Sequence, residues 1–164
     1  MKRATMLSIF LLVCGASAAS AQRAYFYEIM QHYEPIRLAL FEDSTEGVAP
    51  HAEAIAEDLL QLQAAFTPEE AGVAGGNSEL VKEKLPEVIA AAEALAAAES
   101  LQAARDAFAG MSKPLIEWHA KLVMTPRPVV VDCPMFEHSW LQPEDEAIGN
   151  PYGDVPPCGD IVAR

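Results

Sequence analysis

The sequence predicts a mainly α protein: an up-and-down four-helix bundle closed by a short carboxy-terminal β-ribbon or loop cap. Three observations carry that expectation. Apolar residues recur at helical spacing in four successive stretches, and glycine and proline clusters interrupt them. At Pro126 the composition changes from one rich in Ala, Leu and Glu to one rich in Pro, Cys, Trp and short apolar runs.

Tyr33, Ile36 and Leu40 form the first stripe, and Val48, Ala52, Ile55, Leu59, Leu62 and Phe66 the second. Pro68, Gly72, Gly75, Gly76 and Asn77 then break the chain before Val81, Leu85, Val88, Ala92 and Leu95 restart the pattern. Ser100 is placed to cap a fourth helix whose apolar face runs Leu101, Ala104, Phe108, Met111, Leu115, Trp118 and Leu122. Short connections between helices of similar length favour antiparallel neighbours. A proline ring inside a helix removes an amide donor, so Pro86 reads as a first turn and Pro114 as a kink.

In the cap, Val129-Val130-Val131 is β-branched and delivers Cys133 at its end, as a short strand would. Asp160-Ile161-Val162 is a candidate partner; the resulting two-stranded ribbon would bring Cys158 to Cys133. Asn150-Pro151-Tyr152-Gly153 has the chemistry of a tight turn. Trp140 and Leu141 are expected to pack the cap on the bundle, seating it over one end.

The amino terminus reads as a secretory signal over residues 1–21: Lys2 and Arg3, an apolar stretch from Met6 to Val13, and the small-x-small site Ala19-Ser20-Ala21. That apolar core is too short for a spanning helix, so no membrane insertion is expected after signal removal. Lipidation at Cys14 is the alternative, although Leu11-Leu12-Val13 lacks the small residue such a site wants before the cysteine. The chain thus divides into a signal at 1–21, a helical bundle at 22–125 and a cysteine-containing cap at 126–164 that belongs to the same domain. The expected location is periplasmic or secreted.

The chain has 11 basic and 24 acidic residues, a net charge of −13, and loss of the signal makes it more acidic still. Such a balance argues against nucleic acid or an anionic membrane as partner. No phosphate-cradling glycine loop or dinucleotide fingerprint is present. Paired carboxylates such as Glu57-Asp58 and Glu69-Glu70 read as solvated helix faces, and the Glu-x-x-His pairs of a di-metal bundle are missing.

Once Cys14 leaves with the signal, Cys133 and Cys158 remain, and an even pair in an exported protein invites a disulfide. Closing that loop stabilises by about 3 kcal/mol in the chain-entropy treatment, so a cross-link needs no functional explanation. Catalysis by Cys133 with His138 as base lacks an orienting partner, and Pro134 removes an amide that could stabilise an oxyanion. The chain is therefore not read as an enzyme.

The order Phe108 and Ser112, Cys133-Pro134-Met135, Trp140-Leu141-Gln142, Ile148, Asn150-Pro151-Tyr152-Gly153 and Cys158-Gly159 resembles an uncharacterised bacterial periplasmic domain family. Tyr33-Glu34-Pro35-Ile36, Ala39-Leu40 and Asp43-Ser44 are similar to its first helix and turn. Members occur alone or fused to adaptors of heavy-metal (copper/silver) efflux systems of the resistance-nodulation-division class. The resemblance implies a metal-handling role and a periplasmic efflux adaptor as partner. This chain departs from the family at Val155-Pro156-Pro157, where members often carry a methionine. A looser similarity is to short heavy-metal modules pairing Cys-Pro-Met with Cys-x-x-Cys-Gly, but Val155 stands where the further cysteine would be.

A closed four-sulfur zinc site is excluded by count. The remaining donors are Cys133, Cys158, Met135 and a choice of His138, His51 and His119. Soft sulfur ligands select Cu(I), which accepts low coordination numbers. On an extended strand Cys133 and Met135 would share a face and could grip one ion. His138 is the nearest imidazole in sequence, whereas His51 and His119 border helical stripes and are read first as partly buried structural residues and second as ligands. His32 reads as a surface residue. Three functions follow in order: an exported copper-binding accessory of metal efflux or homeostasis, a disulfide-stapled structural or interaction module, and a thiol redox protein.

Overall fold

A computed structural model describes residues 24–135, 137–153 and 158–164; the expected signal at 1–21, Cys14 and Val155-Pro156-Pro157 lie outside the described residues. The four apolar stripes become four helices, α1 (Tyr25–Phe41), α2 (Val48–Ala64), α3 (Ser78–Ala96) and α4 (Leu101–His119), with a short 3-10 turn at Gly75–Asn77. Each helix packs on the next in chain order, as an up-and-down bundle requires. Every residue of the first and third stripes is buried, because residues three and four apart fall on one face. Ser100 caps α4 by accepting from the Ala103 amide at 3.2 Å.

Two boundaries differ from the sequence expectation. Pro86 sits in the interior of α3 rather than in its first turn. Its ring faces solvent, so the carbonyl it deprives of a partner can be hydrated. Leu122 lies beyond α4, where the chain forms an isolated bridge between Val73 and Leu122. α4 is continuous through the buried Pro114.

The cap is a three-stranded antiparallel sheet of β1 (Val129–Cys133), β2 (His138–Gln142) and β3 (Asp160–Ala163) in the order β2-β1-β3. The expected ribbon of β1 and β3 is present, with Val131 opposite Ile161 and Asp132 opposite Asp160. The second hairpin partner was missed, since His138-Ser139-Trp140-Leu141-Gln142 does not alternate: its last three residues are buried in succession. A turn carrying Pro134 and the left-handed Glu137 (φ 54°) joins β1 to β2, with Cys133 opposite His138 as the last pair.

The sheet does not sit over one end of the bundle. It lies along the seam between α1 and α4, where Phe26 packs on Trp118 and Tyr33 on Phe108, and β2 packs on α4. Tyr33 and Ser112, each midway along its helix, meet there. This placement explains how β2, an edge strand, satisfies its outward backbone groups. The Leu141 amide donates to the Tyr33 hydroxyl at 3.2 Å, and the Tyr152 hydroxyl donates to the Ser139 carbonyl at 3.2 Å. Tyr33 in turn bonds Ser112 Oγ at 2.7 Å, and Ser112 donates to the Phe108 carbonyl at 2.8 Å. Burial raises both phenols well above the ordinary tyrosine range, so each remains a neutral donor. We expect Tyr33→Phe, which strips the Leu141 amide of its acceptor, to cost about 1–3 kcal/mol in urea unfolding.

Gly159 is dictated by space. A Cβ there would stand 2.6 Å from Val131 Cγ1 and 2.8 Å from Ile148 Cγ2. Gly159→Ala should therefore destabilise by about 1–3 kcal/mol, measured as a lowered denaturant midpoint.

Candidate functional site

The two sulfurs converge. Cys133 at the end of β1 and Cys158 just before β3 form a disulfide, with Cα atoms 5.4 Å apart and a sequence separation of 25. The antiparallel pairing of β1 with β3 delivers this contact, because it reverses the chain and returns residue 158 beside residue 133. Cys133 is fully buried and Cys158 partly so.

His138 is the cross-strand partner of Cys133. Directly opposed residues project from the same face with Cβ atoms about 5 Å apart, so this imidazole stands one step from the cystine. Its ring lies 4.8 Å from that of Tyr152, centroid to centroid, and its outer side is exposed. With Glu137 and Ser139 it forms one wall of a groove of about 730 Å³, whose other wall is Asp106, Lys113 and Glu117 of α4.

Met135 does not share a strand face with Cys133. The strand ends at Cys133, and Met135 falls in the turn that follows, 67% exposed. Pro134 has no amide to continue the ladder, and the change of direction separates the thioether from the buried sulfur.

The remaining histidines are engaged elsewhere. His119 is buried at the carboxy-terminal end of α4 and its Nε2 bonds the Pro128 carbonyl at 2.8 Å. His51, in the first turns of α2, faces His32 of α1, with the two Nδ1 atoms 3.0 Å apart. The sequence reading missed that pairing, since His32 looked like surface and nothing in either stripe relates the two positions. Among the described residues no three His, Cys, Asp or Glu side chains gather into a metal cluster.

Comparison with known proteins decides no identity. No family model, curated protein or solved structure matches this chain.

Tyr33, Phe108, Ser112 and Tyr152 meet at the α1/α4 seam. Besides the Tyr33-Ser112-Tyr152 contacts, Trp140 Nε1 donates to Gln142 Oε1 at 3.0 Å, and Asn150 Oδ1 accepts from the Tyr152 amide at 2.9 Å. Two arginines fasten the Asn150-Pro151-Tyr152-Gly153 loop. Arg37 Nη1 donates to the Gly149 carbonyl and Arg105 Nε to the Pro151 carbonyl, at 2.8 and 2.9 Å. These residues build the platform on which the cystine and His138 are held.

Burial pushes the His119 imidazole below the ordinary value of 6.5; the Pro128 bond opposes that shift and Arg127 adds to it. An imidazole depressed in the folded state protonates more readily in the unfolded chain. Stability is therefore full above about pH 6.5 and falls as acidification passes through that value toward the lower folded one. Melting followed across this range should show a steeper decline for the native protein than for His119→Gln. Parallel curves would remove the argument.

No helix among the described residues is long and apolar enough to cross a membrane.

Proposed function

We propose that this chain is an exported accessory protein of soft-metal handling, copper first, whose cysteine pair works in two states. Oxidised, Cys133 and Cys158 staple the cap. Reduced, they offer two thiolates that the pairing of β1 with β3 returns to one place, with the His138 imidazole one cross-strand step away and Met135 in the adjoining turn.

The observation that carries this reading is the convergence of both sulfurs beside an exposed histidine on a rigidly seated sheet. Two thiolates with a nitrogen donor suit Cu(I), which needs few ligands and prefers soft ones. Ion binding and the cystine are mutually exclusive, since the same two sulfurs serve both. We leave His51 and His119 out of this set, since one ring nitrogen of each already bonds His32 or the Pro128 carbonyl. The efflux context comes from the sequence resemblance, as do the signal and the adaptor partner.

The test is Cu(I) competition against a chromophoric chelator. The reduced protein should take one equivalent, Cys158→Ser should lose it, and the oxidised protein should not compete. Equal affinity in Cys158→Ser would end the proposal.

The full burial of Cys133 favours a second reading, a permanent staple in a structural or interaction module. Protein isolated from its native compartment would then have no free thiol and no bound copper, and mild reductants would leave the bond intact.

A further inference from the structure

His32 and His51 approach through the same ring atom from different helices, with Nδ1 to Nδ1 at 3.0 Å, centroids 5.3 Å apart and planes tilted by 45°. Both side chains are partly buried, so the pair is held by α1 and α2 while remaining reachable from solvent. For a hydrogen bond, one Nδ1 must carry a proton and the other a lone pair. Replacing that proton by a cation would leave both Nδ1 lone pairs available as donors to one ion.

The separation suits one coordination geometry better than another. Metal–imidazole bonds of about 2.0–2.1 Å spanning 3.0 Å subtend an angle of roughly 95° at the metal. That is the cis angle of a tetragonal centre, the geometry of Cu(II) and Ni(II), and tighter than the tetrahedral angle zinc prefers. We propose that His32 and His51 form a divalent-metal site for Cu(II), completed by water and separate from the sulfur pair.

Neutral imidazoles suit this ion, and Cu(II) heads the affinity order of divalent first-row metals at nitrogen sites. Glu28, one turn before His32 on α1, and the net charge of −13 favour a cation here. The dipole of α2 opposes a positive charge near its first turn, a weak and salt-screened effect beside two coordinate bonds. The site uses no cysteine and does not rest on the function proposed above.

The experiment uses untagged protein with its disulfide intact, so that sulfur cannot compete, titrated with Cu(II) and followed by electron paramagnetic resonance. One equivalent should bind with nitrogen superhyperfine splitting from two imidazoles. His32→Gln and His51→Gln should each weaken binding about tenfold or more, while circular dichroism confirms that both variants fold. Unchanged affinity in either folded variant, or a spectrum with oxygen ligands only, would overturn the proposal and show the contact to be a hydrogen bond between helices. Because the cystine is closed throughout, such a failure leaves the Cu(I) reading untouched.

Discussion

Opening the Cys133–Cys158 bond is expected to lower stability by about 3.5 kcal/mol, from the entropy restored to a 25-residue loop. For a domain of this size that corresponds to a fall in melting temperature of about 10 °C. Phosphine reduction and the double replacement Cys133→Ala with Cys158→Ala should agree. The loss should concentrate in β3, because little else holds that strand. All four of its residues are exposed, and Asp160 faces Asp132 across the ladder, a like-charge pair that opposes pairing. The Arg164–Glu144 ion pair near its end is exposed on both sides and contributes little. Amide exchange at Ile161 and Val162 should therefore accelerate far more than at Val131, which is buried in the central strand. If the melting temperature moved by only a degree or two, the staple would have no structural role, and a functional one would gain weight.

Replacing Arg37 should be comparably severe. Its guanidinium is 1% exposed, forms a two-point contact with Glu34 at 2.5 and 2.8 Å, and reaches across to the Gly149 carbonyl. Removing one member of a buried pair leaves the other charge uncompensated, which costs about 3–5 kcal/mol; Glu34 keeps 18% exposure, so the lower end applies. Arg37→Ala is expected to lose about 3 kcal/mol in urea unfolding and to free the loop around residue 150. Arg37→Lys should recover only part of this, since an ammonium cannot hold both Glu34 oxygens and the carbonyl in one planar fork. Arg105, although it joins Asp43 and the Leu40 and Pro151 carbonyls, faces a half-exposed carboxylate, so Arg105→Ala should cost less. Equal losses at the two arginines would contradict this ranking.

The helical half was readable because its signal is local. Residues such as Val81, Leu85, Val88, Ala92 and Leu95 lie within a few turns of one another, and periodicity alone puts them on one face. Ser100 as a cap follows from the same short-range logic. The strands β1 and β3 were visible from their β-branched runs. β2 was not, since its edge is satisfied by the hydroxyls of Tyr33 and Tyr152, residues that lie in other segments of the chain.

The candidate site divides along the same line. That Cys133 and Cys158 would meet followed from their being the two cysteines outside the expected signal, with β-forming runs beside each. That Met135 would turn away, that His119 would close on Pro128, and that His51 would find His32 could not be read from spacing. Each depends on where a chain reversal or a neighbouring helix places a side chain.

By itself the sequence determined four amphipathic helices, their order, an acidic surface and a cysteine pair near the tail, because each is a property of residues close in the chain or of composition. Only the tertiary structure decided that the cap lies along the α1/α4 seam, that two tyrosine hydroxyls seal its edge strand, and that His32 and His51 share a contact. Those outcomes rest on groups brought together from distant segments, where hydrogen-bond satisfaction and packing space, rather than periodicity, select the partner.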